Sequence, residues 1–131
     1  MIDDASHMYE HTKVSFETLF PLLRPGGQYI IEDWSWACWS GLPEDFSVTN
    51  PNRCPDQNPA AAGLPRLIAE IVTTAGKMEN YMSLDADSVW ELNPMIATVT
   101  VYPDFVVVER GDADGAAFPD FKLEPLLMPG R

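Results

Sequence analysis

The sequence predicts an α/β fold in which a strand–helix–strand crossover is followed by a second helix and an antiparallel β-hairpin. Three observations predict it. The chain opens on the apolar end of a strand, Met1-Ile2, and a helical pattern follows at once. A Pro-Gly-Gly turn at Pro25 then leads into the apolar run Tyr29-Ile30-Ile31, so the first two strands are expected to be parallel. Finally, two β-branched runs flank a Tyr-Pro-Asp turn at residues 102–104, which is typical of a hairpin.

The first helix is predicted over residues 7–23, with Ser6 as its cap. Its apolar face recurs at helical spacing and consists of Tyr9, Phe16, Leu19, Phe20 and Leu23. Pro21 lacks an amide hydrogen and crowds the preceding turn, so the last turn of this helix should loosen or bend.

The remaining elements follow from the apolar pattern and its breaks. A buried strand is expected over residues 28–34, a long loop over 35–63 and a second helix from Pro65 to about residue 82. The hairpin strands are predicted at 96–101 and 105–109. Residues 111–131 are rich in Asp, Gly and Pro and are predicted to form a poorly ordered tail, which leaves residues 1–110 as the folded part.

The acidic composition excludes several classes of partner. The chain carries 20 acidic and 8 basic residues, a net charge of -12, which repels nucleic-acid phosphates and anionic membranes. It contains no apolar run long enough for a bilayer span and no signal-peptide pattern. We therefore expect a cytoplasmic protein in which Cys38 and Cys54 are free thiols.

Two acidic pairs, Asp3-Asp4 and Glu32-Asp33, follow the two strands of the predicted crossover. The carboxyl ends of parallel strands meet at one edge, where open α/β sheets bind ligands. Up to four carboxylates would therefore share a crevice, and their repulsion favours a hard divalent cation such as Mg²⁺, Mn²⁺ or Ca²⁺. Alternatively, the acids cap the helix or remain solvated at the sheet edge.

Histidine and tryptophan side chains near these acids are further candidates. His7 lies at the start of the first helix, where it could act as a general base or remain a surface histidine. His11 completes a His-x-x-x-His spacing that would suit zinc, although no soft third ligand accompanies it. Trp34 and Trp36 could line a substrate pocket or simply pack in the core.

The first quarter of the chain resembles the macrocin and mycinamicin sugar O-methyltransferases, and also the cephalosporin hydroxylase-like proteins of the same superfamily. The resemblance rests on three elements in order: Asp3-Asp4-Ala5-Ser6-His7, Leu23-Arg24-Pro25-Gly26-Gly27 and Ile31-Glu32-Asp33. It implies that the chain is the C-terminal half of a Rossmann-like methyltransferase sheet. It also implies transfer of a methyl group from S-adenosylmethionine to a hydroxyl of a sugar or polyol-like small molecule.

The resemblance further assigns roles to individual residues. Asp4, Glu32 and Asp33 are implied to bind Mg²⁺, and His7 is implied to be the base that takes the acceptor's proton. Independently of the resemblance, the aromatic side chains of Trp34 and Trp36 are expected to contact the acceptor.

One departure from the family pattern is large. The chain contains no Gly-x-Gly loop, so no residue is assigned to S-adenosylmethionine and we expect an incomplete fragment. A half sheet would expose its edge, which predicts a homo-oligomer or other association through the sheet. Two alternatives remain open: an iron-dependent, hydroxylase-like relative, and a non-catalytic remnant that binds a partner.

Overall fold

The computed structural model describes residues 1–4, 8–35, 63–76, 78–79, 91–92, 95–113, 118 and 120–126. Within them the predicted α/β fold is confirmed. The helices are α1 (Tyr9–Leu19) and α2 (Gly63–Ala75), with a 3₁₀ turn at Phe20–Leu22. The strands are β1 (Ile2–Asp3), β2 (Gln28–Glu32), β3 (Met78–Glu79), β4 (Glu91–Leu92), β5 (Ile96–Val101) and β6 (Phe105–Arg110). None of the helices in this part of the chain is both long and apolar enough to cross a membrane.

The main sheet has four strands in the order β1-β2-β6-β5. β1 and β2 are parallel, as the crossover predicts, and β6 runs antiparallel to both β2 and β5. The short strands β3 and β4 pair with each other in a separate sheet. Because β6 runs antiparallel to β2 and begins at Phe105 opposite Glu32, the hairpin turn that precedes Phe105 lies at the same edge as the carboxyl end of β2.

The end of the first helix follows from its local sequence. α1 ends at Leu19 and the chain tightens into the 3₁₀ turn that contains Pro21, which is the loosening that proline predicts. Gly26 then adopts a φ of 73°, a left-handed conformation that favours glycine. The backbone of this turn exchanges hydrogen bonds of 2.9 and 2.8 Å with Arg110, which fixes the start of β2 against the end of β6.

The hydrophobic core lies on one face of the sheet. Burial alternates along β2 and β6, so every second side chain faces the helices. Phe16 of α1 is fully buried, stacks on Phe20 at 4.6 Å and meets the edge of the Tyr29 ring at 5.1 Å. α2 adds buried aliphatic residues to the same cluster: Leu64, Leu67, Ile68 and Ile71. Each such side chain contributes about 1.5–3 kcal/mol through burial.

Two predictions differ from the structure. The second helix begins at Gly63 and ends at Ala75, rather than running from 65 to about 82, because Gly76 interrupts it before β3 begins at Met78. Phe121 and Leu123 are buried in the core, so a poorly ordered tail does not describe these residues. The Leu123 amide donates a 3.0 Å hydrogen bond to the buried carboxylate of Glu17, which ties the segment to α1.

Candidate functional site

The carboxyl ends of β1 and β2 lie side by side. The parallel register pairs Asp3 with Ile31, so the next residues along the chain, Asp4 and Glu32, lie at the same edge of the sheet. Asp4 is exposed, whereas Glu32 and Asp33 are half-buried. The two acidic segments that the sequence singles out therefore end at one edge of the sheet.

Asp33 has an unusual backbone conformation. Its φ of 52° lies in the left-handed region, and it is the one non-glycine residue with a positive φ among those that the structure describes. Such a conformation costs on the order of 1–3 kcal/mol and is often found at functional sites. It turns the chain sharply away from β2 directly after Glu32.

Asp3 interacts with a buried tyrosine on the neighbouring strand. The hydroxyl of Tyr29 donates a 2.6 Å hydrogen bond to Oδ2 of Asp3. Burial raises the pKa of Tyr29 far above its ordinary value, and the hydrogen bond to Asp3 raises it further, so the phenol remains protonated and continues to donate. This bond fixes the residue that precedes Asp4.

The donor chemistry of the edge fits a hard cation. Asp4, Glu32 and Asp33 offer only oxygen atoms, which are the ligands that Mg²⁺ prefers. Within the described residues, however, no three His, Cys, Asp or Glu side chains approach closely enough to form a ready-made metal cluster. His7 and Trp36, predicted as base and substrate contact, lie outside the described residues. The other histidine, His11, is exposed on α1.

Trp34 contacts the turn between β5 and β6. Its indole Nε1 donates a 2.8 Å hydrogen bond to the Tyr102 carbonyl, and its ring packs partly against the core. The Ser35 hydroxyl donates a bond of the same length to the Pro103 carbonyl. The chain that leaves the acidic end of β2 is thus fastened to the hairpin turn.

Sequence reasoning missed a buried ionic cluster between the helices. Glu70 of α2 is fully buried and accepts hydrogen bonds of 2.9 Å from the Tyr9 hydroxyl and 2.7 Å from Lys13 Nζ. Arg66 adds a third contact at 3.1 Å. The one available signal was the position of Glu70 among the apolar residues of α2, between Leu67 and Ile71.

The charges in this cluster stabilise one another. Burial alone would raise the pKa of Glu70, but hydrogen bonds from Lys13 and Tyr9 outweigh it, and the pKa is lowered. Burial opposes the charge of Lys13, yet its hydrogen bond to Glu70 raises the pKa of the ammonium. Burial raises the pKa of Tyr9, so the phenol stays a donor. The first turn of α1, two residues after His7, is therefore anchored to α2.

Comparisons with known proteins identify relatives of one kind. No protein-family model matches the chain. It is 53% identical over 45 residues to demethylmacrocin O-methyltransferase of Streptomyces fradiae, which covers 34% of this chain and 11% of that protein. It is 30% identical over 122 residues to mycinamicin VI 2''-O-methyltransferase of Micromonospora griseorubida, covering 91% of this chain and 27% of that protein.

A solved structure supports the same relationship. The MycE methyltransferase of the mycinamycin pathway, in complex with Mg, SAH and mycinamycin VI, superposes with a TM-score of 0.50 at 30% identity. The superposition covers 84% of this chain and 24% of that one. The chain thus spans about a quarter of the length of the relatives that match most of it. The observed order of strand, helix, parallel strand, helix and antiparallel hairpin agrees with the Rossmann-like methyltransferase half that the sequence predicts.

Proposed function

Because the chain belongs to the macrocin and mycinamicin type of sugar O-methyltransferases, we propose that it supplies the metal-binding part of a methyl transfer. The methyl donor is S-adenosylmethionine, and the acceptor is a hydroxyl group of a sugar or a polyol-like small molecule. The observation that carries the proposal is the parallel register of β1 and β2, which brings Asp4 and Glu32 to one edge of the sheet.

Asp4, Glu32 and Asp33 are the residues that would hold Mg²⁺. When bound, this ion lowers the pKa of a hydroxyl group that coordinates it. Their oxygen-only donor set disfavours the iron-dependent, hydroxylase-like alternative, whose metal is usually held by two histidines and one carboxylate. The left-handed conformation of Asp33 supports the assignment, because it directs the chain out of the strand at the second acidic pair.

His7 would act as the general base. In the sequence it follows the proposed ligand Asp4 by three positions and precedes α1 by two, and the family resemblance gives this position the role of base. A ring nitrogen of His7 would accept the proton of the acceptor hydroxyl as the hydroxyl oxygen bonds to the sulfonium methyl carbon. The carbon–sulfur bond would break in the same step, and S-adenosylhomocysteine would leave. Holding both reactants in line supplies much of the rate of such a transfer.

No S-adenosylmethionine contact is assigned within the 131 residues, because they contain no Gly-x-Gly loop. The MycE structure, of which this chain matches 24%, contains SAH. We propose that this chain contributes the metal ligands, the base and the acceptor side of the site, and not the residues that bind the cofactor.

A Mg²⁺ titration by isothermal calorimetry tests the proposal. Asp4→Asn removes one charged ligand and is expected to weaken binding at least about tenfold, as disturbing a metal shell commonly does. Asp112→Asn is the matched control, since Asp112 is exposed beyond the opposite end of β6. Equal Mg²⁺ affinity in Asp4→Asn and the parent chain would refute the metal site.

A second candidate function is association through the sheet. Among the strands that the structure describes, β1 lies at an edge of the main sheet and has only two residues, of which Ile2 is 62% exposed. Unpaired strand edges favour pairing with another chain. Sedimentation velocity distinguishes this reading: a non-catalytic, partner-binding module would assemble without binding Mg²⁺, and its assembly would weaken in Ile2→Lys.

A further inference from the structure

The turn between β5 and β6 carries a stacked aromatic pair. The rings of Tyr102 and Phe105 lie 4.4 Å apart at an interplanar angle of 19°. Tyr102 is 44% exposed, while Phe105 is half-buried beneath it. The short turn thus presents an aromatic ring to solvent. Stacking on Phe105 restricts the motion of this ring.

This pair lies beside the proposed metal ligands. Phe105 is the cross-strand partner of Glu32 in the antiparallel pairing of β2 with β6. Directly opposed residues place their side chains on the same face, with Cβ atoms about 4.5–5.5 Å apart. The aromatic pair and the carboxylate of Glu32 therefore share one face at the ligand-binding edge of the sheet.

The turn is held rigidly against the chain that leaves β2. Trp34 and Ser35 donate side-chain hydrogen bonds to the carbonyls of Tyr102 and Pro103, both at 2.8 Å. The backbone amide of Tyr102 donates a further 2.8 Å bond to the Phe105 carbonyl. Of these two described aromatic side chains, Trp34 packs partly against the core, whereas Tyr102 is 44% exposed and can contact a ligand.

We propose that Tyr102, supported by Phe105, is the platform on which the apolar face of the acceptor sugar rests. This inference rests on the proposed function and names the substrate contact of the same site. One face of a pyranose carries mainly C–H bonds, whose partial positive charge is attracted to the negative face of an aromatic ring. Ligand sites commonly combine such an apolar wall with a few polar groups that fix orientation, here the carboxylates of the strand ends.

The sugar, rather than the apolar group to which it is attached, is the expected occupant because of the spacing. Phe105 lies directly opposite Glu32 in the sheet, so the part of the acceptor beside the aromatic pair would be the sugar ring that carries the reacting hydroxyl. The aglycone, which is attached to the sugar farther from the reacting hydroxyl, would extend beyond the turn at residues 102–104.

Saturation-transfer difference NMR on the full 131-residue chain with Mg²⁺ tests the platform. The probe is methyl α-L-rhamnopyranoside, a 6-deoxysugar without an aglycone, and its C–H protons should receive saturation from aromatic protons. Tyr102→Ala is expected to weaken binding about tenfold, which corresponds to about 1.4 kcal/mol. Tyr102→Phe keeps the ring and should bind like the parent. Leu22→Ala removes another highly exposed apolar side chain and should leave binding unchanged.

The outcomes separate this inference from the proposed function. Unchanged rhamnoside binding in Tyr102→Ala, or no saturation transfer from the parent chain to the rhamnoside, would overturn the platform. The platform would also be overturned if the chain bound an unglycosylated macrolactone instead of the rhamnoside and Tyr102→Ala lost that binding. Tyr102 would then contact the aglycone and not the sugar. Mg²⁺ affinity is expected to be equal in Tyr102→Ala and the parent, so the metal site is judged independently by Asp4→Asn.

Discussion

The hydroxyl of Tyr29 donates a 2.6 Å hydrogen bond to the carboxylate of Asp3, joining the two parallel strands whose ends carry the proposed metal ligands. The phenol is buried and the carboxylate is half-buried, so the bond forms in partly desolvated surroundings. Tyr29 also meets the edge of the Phe16 ring. The hydrophobic core thereby orients the residue adjacent to Asp4.

Tyr29→Phe should reduce the free energy of unfolding by about 1.5–3 kcal/mol, the usual contribution of a hydrogen bond to a charged group. It should also weaken Mg²⁺ binding, because Asp3 would lose its fixed orientation beside Asp4. Urea unfolding and calorimetry measure the two effects. Tyr102→Phe, which removes an exposed phenol hydroxyl, is the control and should change neither. A fully stable Tyr29→Phe chain would contradict the role given to this bond.

Glu70→Gln should destabilise the chain by about 2–3 kcal/mol. This is less than the 3–5 kcal/mol typical of a fully buried pair, because the side chain of Lys13 is 19% exposed and partly solvated. Thermal or urea unfolding at neutral pH measures the loss. Glu10→Gln, at an exposed position of α1, is the matched control and should lie within about 0.5 kcal/mol of the parent.

The contribution of Glu70 should depend on pH in a defined direction. Its pKa is lower in the folded chain than in the unfolded chain, so the folded state favours the ionised form. The stabilisation is therefore complete above the ordinary carboxyl range of about 4–5 and disappears as the pH falls through the lowered pKa. Measured unfolding free energies of the parent and Glu70→Gln should converge toward acidic pH. A difference that grew on acidification would contradict the assignment.

Alanine at the two glycines of the turn before β2 should destabilise the fold for different reasons. Gly26 has space around it but a φ of 73°, so Gly26→Ala should cost about 1–2 kcal/mol in backbone strain. A Cβ at Gly27 would lie 2.8 Å from the backbone oxygen of Arg24, so Gly27→Ala should move the chain and cost about 1–3 kcal/mol. Urea unfolding measures both, and Gly76→Ala, whose Cβ would make only ordinary contacts, is the control.

Local patterns in the sequence predicted much of the fold. The crossover, the hairpin and the loosened end of α1 depend on spacing between near neighbours, such as the glycine turn before Tyr29 and the position of Pro21. The meeting of the acidic strand ends also followed from sequence, because parallel strands fix which residues share an edge.

Local patterns did not predict the contacts between residues that are far apart in the sequence. Tyr9 was expected to be one more apolar residue, but its hydroxyl reaches Glu70, 61 positions away. The backbone amide of buried Leu123 donates a hydrogen bond to Glu17, 106 positions earlier. No periodicity encodes these partners, since each residue alone is compatible with several environments. The aromatic pair at the hairpin turn was missed for the same reason, because its importance depends on the register of β6 with Glu32.

The measurement that tests the metal site most directly is paramagnetic broadening by Mn²⁺, used in place of Mg²⁺, of assigned amide resonances. Substoichiometric Mn²⁺ is expected to broaden the amide resonances of Asp4, Glu32 and Asp33 first and that of Phe105 at a higher Mn²⁺ concentration. The resonance of Asp112, beyond the opposite end of β6, should remain sharp. Excess Mg²⁺ should displace Mn²⁺ and restore these resonances, and in Asp4→Asn the selective broadening should be absent. Broadening spread evenly over the acidic surface, or centred elsewhere, would contradict the proposed site.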